Sequence, residues 1–508
     1  MIWKISLFFC FLAFTLFAQT TKPRTTSPST SKNKSTDVDE GFNMGLSIGA
    51  VTIDNKIYNQ IGLRPDFAIG KFGVALDLTI YIDQDGNIRK ENWDSFNDII
   101  EKIYYVRWGH QGDPFYAKVG AIDNYRLGYG LLMNRYYNTI QYPSVIRTGL
   151  SLGFQGETFG ADLLVNDFKE VGRPGGLYAG RVTYKLLGAL TLGANVVFDR
   201  NQYAGLPDQD GDHVPDALDD FPTKKKYAVD TDGDGVPDSI DPDRNGNGYT
   251  DNSQNPLVQN NDPDSLNLKL KPTPFDITDA PNQEQLAFGV DLGLPVLTAD
   301  YLQLILYGQA AKFAYGNGWG MAAPGLLAKF AFINFYAEYR MLNEKFIPEY
   351  FNATYEIERV IFVQDTTGNL QPVTKRQLME QVKDKMQGYV VGADFNIGNL
   401  VTFSAMYQDM GSSAGFDFKT FGANLDLNTK MVPKIQRAGA YYYQQNVDKL
   451  FRKQEGTIFG YQLQYEIAGG AALLLDYRTM YRDFNGDGKI KGSNEIVNIT
   501  NIQTVFTF

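Results

Sequence analysis

Along most of this chain apolar and polar side chains alternate. Between Phe72 and Ile82, the residues Phe72, Val74, Leu76, Leu78, Ile80 and Ile82 fall on one face, and Gly73, Ala75, Asp77, Thr79 and Tyr81 on the other. A period of two puts successive side chains on opposite faces of a strand. The same pattern predicts strands at 42–53, 58–70, 72–82, 102–110, 114–122, 148–156, 160–167, 177–186, 190–198, 285–293, 301–310, 319–330, 332–342, 388–397, 399–408, 417–428, 435–445, 456–466, 470–480 and 496–508. The fold class is therefore all-β.

Two architectures fit alternation of this kind. In a soluble sandwich the apolar face is the core; in a membrane barrel it faces lipid and the polar face lines a wet interior. The connections separate them. Every long one (83–101, 123–147, 199–284, 343–387 and 481–495) follows an odd-numbered strand, and those after even-numbered strands are short. Sorting of this kind is the sequence signature of a transmembrane antiparallel up-and-down β-barrel, here of about 20 strands, range about 18–22, with long extracellular loops and both termini on the periplasmic side. The end of the chain, Phe506-Thr507-Phe508, resembles the aromatic-x-Phe terminus of outer-membrane proteins. That resemblance implies the barrel-assembly machinery as a partner of the last strand. Tyr104, Tyr105, Tyr441, Tyr442 and Tyr443 are candidates for an aromatic girdle at the lipid boundary.

Composition agrees with export. Met1 to Ala18 reads as a signal peptide, with Lys4 ahead of the apolar run Ile5 to Phe17. The single cysteine, Cys10, lies in that run, so the mature chain would carry neither a disulfide nor a thiol nucleophile. Residues 19–40, rich in Ser, Thr, Pro and Lys, read as a disordered periplasmic leader, and 41–508 as the barrel. The net charge of −11 is concentrated in one insertion: residues 201–285 hold 18 Asp and Glu against 6 Lys and Arg, a balance of −12, which leaves the rest near +1. No basic footprint for nucleic acid is present.

If the apolar face meets lipid, the lumen face can be read off. It includes Asp77, Arg181, Lys185, Glu338, Arg340, Asp426, Glu466, Asp476 and Arg478. Charges of both signs interleaved with amides suit water and small polar solutes; they also suit a salt-bridged, closed lumen. The run 126–147 lacks strand alternation and carries Arg126, Arg135 and Arg147 among tyrosines. It fits a loop folded into the lumen as a constriction, or an outer loop packed on its neighbours. Arginine would offer planar donors to carboxylate or phosphate there. Within loop 343–387, Thr374-x-x-Gln377 predicts a capping box, followed by Leu378, Val382 and Met386 at helical spacing.

The clearest chemistry lies in 208–251. It presents Asp208, Asp210, Asp212, Asp216 and Asp219, then Asp230, Asp232, Asp234, Asp238 and Asp241, then Asp243, Asn245, Asn247 and Asp251. Alternating oxygen ligands on a glycine-turned loop suit a hard cation. The D-x-D-x-D-G-x-x-D-x-x-D core resembles thrombospondin type 3 repeats, without their cysteines, which implies structural calcium. His213 stands where glycine is usual. A further loop with Asp483, Asn485 and Asp487 resembles an EF-hand loop whose twelfth position is Asn494. Asp83 to Asn87 carries a fragment of the same pattern.

The two histidines, His110 beside a short turn and His213 in the acidic ladder, match no hydrolase motif, and catalysis is not expected. The expectation is an outer-membrane porin of a Gram-negative bacterium that passes small polar solutes. The alternative is a surface interaction protein (adhesin, receptor or secretion-complex subunit) with a closed barrel.

Overall fold

The computed structural model describes residues 41–507 apart from 54–55, 91–92, 94–95, 143–144, 169–170, 172–175, 187–188, 209, 249–269, 281–283, 365–369, 398–399, 413–414, 416, 428–433, 455, 482, 484–488 and 493–494. The expected signal peptide and leader, together with Asp251, Asn485, Asp487 and Phe508, lie outside the described residues.

The strands are β1 (Gly41–Ile53), β2 (Lys56–Ile69), β3 (Phe72–Leu76), β4 (Leu78–Ile82), β5 (Ile103–Trp108), β6 (Phe115–Gly120), β7 (Gly149–Gln155), β8 (Phe159–Val165), β9 (Leu177–Leu186), β10 (Leu190–Asp199), β11 (Gln285–Ala299), β12 (Leu302–Phe313), β13 (Trp319–Phe330), β14 (Ile333–Leu342), β15 (Val360–Gln364), β16 (Leu370–Thr374), β17 (Met386–Ile397), β18 (Val401–Ser412), β19 (Asp417–Leu427), β20 (Ile435–Val447), β21 (Ile458–Ala468), β22 (Ala471–Tyr481) and β23 (Ile496–Thr507). β15 and β16 form a hairpin of their own inside a loop. All others pair antiparallel with their sequence neighbours, and β23 returns to β1, with Leu46 opposite Phe506. β3 and β4 both pair with β2 and are one strand interrupted at Asp77. The result is a closed antiparallel barrel of 20 strands.

Closure leaves no unpaired sheet edge, which is what lets a sheet stand in hydrocarbon. The faces follow the sequence period. On β21, Phe459, Tyr461, Leu463 and Tyr465 are 36–41% exposed and point outward. On the neighbouring strand Arg478 points inward and donates to Tyr441 Oη at 2.8 Å. Period two also divides the girdle candidates. Tyr105 is fully buried and donates to Asp66 inside the barrel, whereas Tyr104 is exposed outside. Tyr443 points inward to Gln445, whereas Tyr442 packs with Phe421 and Phe451.

Short turns gather at one end and the long connections at the other. β11 runs on to Ala299, six residues past its expected end at 293, and so shortens its turn. Asp77 explains the break in the third barrel strand. Its carboxylate lies 3.2 Å from Arg64 Nη2 and accepts from Tyr142 Oη at 2.7 Å, while its N–H turns to Lys102 O. The segment ending in α1 (Phe96–Glu101) leads from there into β5.

The long loops fold back. In 343–385 the chain forms α2 (Tyr355–Glu358), the β15–β16 hairpin, and α3 (Lys375–Glu380). The capping box on α3 is present: Thr374 Oγ1 accepts from Gln377 N and Thr374 N donates to Gln377 Oε1. The helix stops at Glu380, and Met386 begins β17 instead of extending it. Helical spacing alone joins the two, because a strand's first inward residue can fall in helical phase by chance.

Candidate functional site

The loop after β6 enters the barrel. It forms a tight hairpin closed by reciprocal bonds between Tyr125 and Tyr136, each 2.9 Å from N to O. Two faces result. Tyr125, Leu127, Leu131, Leu132, Met133 and Tyr136 are buried, packed with Phe346, Tyr350, Phe351 and Tyr355 of loop 343–385 and with inward residues such as Ala179, Val197, Ala287 and Phe313. The barrel's largest apolar core therefore lies in its interior, between two infolded loops and the wall. Here the polar-lined lumen predicted from alternation gives way to apolar packing.

Ionic contacts lock this packing. Glu356 Oε2 lies 3.3 Å from Arg147 Nη2 and 3.2 Å from Arg359 Nη1, and Tyr136 Oη and Asn166 Nδ2 donate to Glu356 Oε1. Arg359 Nη2 reaches Asp199 at the end of β10, 2.9 Å away. A second cluster joins Arg340 to Glu338 at 2.6 Å and to Glu349 at 2.9 Å; Asn134 Nδ2 of the hairpin donates to Glu349, and Gln309 joins Glu338 to Leu131 N. Buried charges persist only when paired and hydrogen-bonded, and removing one partner costs about 3–5 kcal/mol.

The hairpin's other face carries Arg126, Arg135 and Tyr137, all partly exposed inside the barrel. Arg126 follows Tyr125 and Arg135 precedes Tyr136, so the two arginines flank the single bridge that closes the hairpin. Arg126 Nε donates to Asn134 Oδ1 at 2.8 Å, and its guanidinium lies 5.8 Å from the Tyr336 ring. The charge of Arg135 also acts on Tyr336, more strongly than that of Arg126. Arg135 has a left-handed backbone, φ 53°, and its guanidinium lies close over Gly422: a Cβ there would meet Arg135 Nη1 at 3.0 Å. Beside this face Tyr129 stacks on Tyr307, rings 4.0 Å apart and 7° from parallel.

Most of the other anticipated lumen residues are engaged by partners. Arg181 pairs with Asp291 at 2.5 Å, Asp426 with Arg437 at 2.7 Å, and Arg478 donates to Ile140 O at 2.7 Å. Lys185 and Asp476 line strands β9 and β22 and are half-buried; Glu466 sits near the short-turn end of β21. Sequence reasoning missed Asp199, Asn134, Glu349, Glu356, Arg359 and Tyr336. The first five matter through contacts between distant loops, for which local spacing carries no signal. Tyr336 was legible as an inward position between Asn334 and Glu338.

At the long-loop end, the acidic ladder repeats one set of bonds. Asp208 accepts from Gly211 N at 2.8 Å and His213 N at 3.1 Å; Asp230 accepts from Gly233 N at 2.8 Å and Gly235 N at 2.9 Å. Asp243 accepts from Asn247 N at 3.1 Å and Gly248 N at 2.8 Å, and Asn245 also takes Asn247 N. His213 adopts φ 79°, the left-handed value that the glycine at the equivalent place, Gly235, takes with φ 88°. The carboxylates of Asp208, Asp210 and Asp212, and those of Asp230, Asp232 and Asp234, converge within 4.8 Å. Oδ2 of Asp210, of Asp219 and of Asp241 is buried without a hydrogen-bond partner. Burial, against a bond from Phe221 N and with help from the Asp212, Asp210 and Asp216 charges, pushes the Asp219 carboxyl up to about 6. Asp230 goes the other way: burial is outweighed by the Gly235 and Gly233 N–H groups, which hold its carboxyl low. The Asp238 carboxylate accepts from Thr231 N at 2.7 Å and Thr231 Oγ1 at 2.6 Å, whereas it is the backbone N–H of Asp216 that donates to Pro207 O. Converging carboxylates with orphaned buried oxygens fit a divalent cation. Asp83, by contrast, accepts from Asp85 N and Asn87 N in a simple turn. His110 lies in the turn between β5 and β6, at the opposite end from His213, so no site contains both.

No family model matches the chain, and no curated protein matches it. Among solved structures, Acinetobacter baumannii OccAB4 matches at 10% identity and a TM-score of 0.31, covering 92% of this chain and 97% of that one. Pseudomonas aeruginosa OpdK with vanillate matches at 8% and 0.32, covering 92% and 98%. Wzi of Escherichia coli, described as a carbohydrate-binding β-barrel of capsule assembly, matches at 8% and 0.32, covering 92% and 85%.

Proposed function

We propose that the protein is an outer-membrane channel that passes small polar solutes through a barrel narrowed by two infolded loops, with its outer loops stiffened by calcium. The observation that carries the reading is the face of the hairpin bearing Arg126, Arg135 and Tyr137. It is polar and partly exposed inside a closed barrel whose outer surface is apolar. A surface of that kind needs water in the lumen, and its two arginines would set the field a solute meets. The long-loop end faces outward and both chain ends face the periplasm on this reading; the last strand is the one the assembly machinery would recognise.

Calcium would sit on Asp208, Asp210 and Asp212 with Asp219, and on Asp230, Asp232 and Asp234 with Asp241. It would relieve the like-charge repulsion there and give the orphaned oxygens a partner. Such sites are structural. They would fix a loop whose Tyr203 and Leu206 pack on Val360 and Phe362 of the second infolded loop.

One observation favours a second reading. The apolar core between the loops is continuous, and a fully closed barrel would suit a surface interaction protein. Planar-bilayer recording of the full chain separates the two. Stable conductance steps are expected of the channel; silence, with calcium-dependent binding of a partner, would establish the alternative.

A further inference from the structure

We propose that Arg126 and Arg135 together hold an oxyanion, a carboxylate or a phosphate, on the lumen face of the infolded hairpin, with the hydroxyl of Tyr336 as a third donor. The inference rests on the wet lumen of the channel reading but not on passage through it.

Four observations converge. The hairpin carries two arginines, Arg126 and Arg135, on either side of its closing bridge, both half-buried inside the barrel. Four other arginines of the interior have carboxylate partners: Arg147 and Arg359 share Glu356, Arg181 has Asp291, and Arg340 has Glu338 and Glu349. Among the described residues neither Arg126 nor Arg135 forms an ion pair. Arg126 uses only Nε, toward Asn134, so its two terminal nitrogens keep the planar fork that matches carboxylate or phosphate.

The surroundings are shaped to the pair. Tyr336 Oη is closed off from solvent and has no hydrogen-bond partner, and the Arg126 guanidinium lies over the ring of the same tyrosine. The left-handed backbone of Arg135 is a strained conformation for a residue with a side chain. Gly422 leaves the space its guanidinium occupies. A bound oxyanion would use the free fork of Arg126, pair with both arginines, and give the Tyr336 hydroxyl an acceptor.

The test is isothermal titration of the detergent-solubilised full chain with succinate and with inorganic phosphate at constant ionic strength. The wild type is expected to bind at least one of them saturably. Loss of one charge-assisted contact is worth about 1.5–3 kcal/mol, so R126Q and R135Q should each weaken binding by about ten-fold or more. R135K should lie between, because an ammonium keeps the charge and loses the fork. Y336F, which keeps the ring in place, should also weaken binding and guards against misfolding of the arginine variants. Binding of succinate alone assigns a carboxylate ligand; binding of phosphate alone assigns a phosphate. Saturable binding of neither, or affinity unchanged in both glutamine variants, would overturn the site. A protein that conducts but binds neither anion overturns this inference and leaves the channel standing; one that binds but never conducts does the reverse.

Discussion

Arg359 Nη2 lies 2.9 Å from Asp199 Oδ1, and both side chains are almost wholly buried. The pair ties the second infolded loop to the last residue of β10, at the mouth where the acidic insertion begins. Arg359 also donates to Asn201 O and reaches Glu356, so one guanidinium joins wall, insertion and loop.

Substituting Arg359 with alanine leaves Asp199 buried and uncompensated, at a cost of about 3–5 kcal/mol. The barrel wall does not depend on the pair, so the loss should appear locally. R359A is expected to keep the heat-modifiable gel mobility of a folded barrel while loop 343–385 becomes open to protease. Unchanged protease resistance would show that the loop is held by its apolar core alone.

Thr374 caps α3 through both halves of a capping box. T374A should cost about 1 kcal/mol. Hydrogen exchange of α3 and the adjoining β16 should quicken while exchange in β17 stays slow.

Val290 is 59% exposed on β11 and points outward. If that face meets lipid, an arginine near the middle of the strand costs about 2–4 kcal/mol. V290R should lower folding stability in vesicles measured by urea titration. An aqueous outer face would make the change nearly neutral.

The acidic ladder should bind calcium with low demand on affinity, as extracellular modules do. D230N combined with D232N should abolish one site in titration calorimetry and expose the 201–285 loop to protease even with calcium present.

The pH dependence follows from Asp219. Its carboxyl is raised from 3.8 to about 6, first by burial. Between those values the folded, calcium-free loop holds a proton that the unfolded chain releases, so its stability falls as pH rises through that window. Calcium competes with the same proton. Its affinity should therefore be weaker at about pH 5 than at about pH 7.5, and D219N should flatten the difference.

The barrel was largely written in the sequence. Strand count, face assignment and the sorting of long and short connections all follow from local rules, because a strand's side chains alternate whatever they pack against. The ladder's turn at His213 was less legible, because the sequence puts a histidine where glycine is usual, and only the structure shows it taking the left-handed φ of 79°. The same locality explains the errors of extent: period two cannot say that Asp77 interrupts its strand, because the cause, Arg64 and Tyr142, comes from elsewhere in the chain.

What the sequence determined by itself is the wall: which residues face out, which face in, and which end carries the acidic loops. Only the tertiary structure decided what fills the interior. The run from Arg126 to Arg147 reads equally well as a loop inside or outside, since nothing local distinguishes them. Its place was settled by contacts across more than 200 residues, such as Tyr136 with Glu356 and Asn134 with Glu349. Those contacts engage Arg147 and leave Arg126 and Arg135 facing the lumen, a division among three arginines that no spacing rule could make.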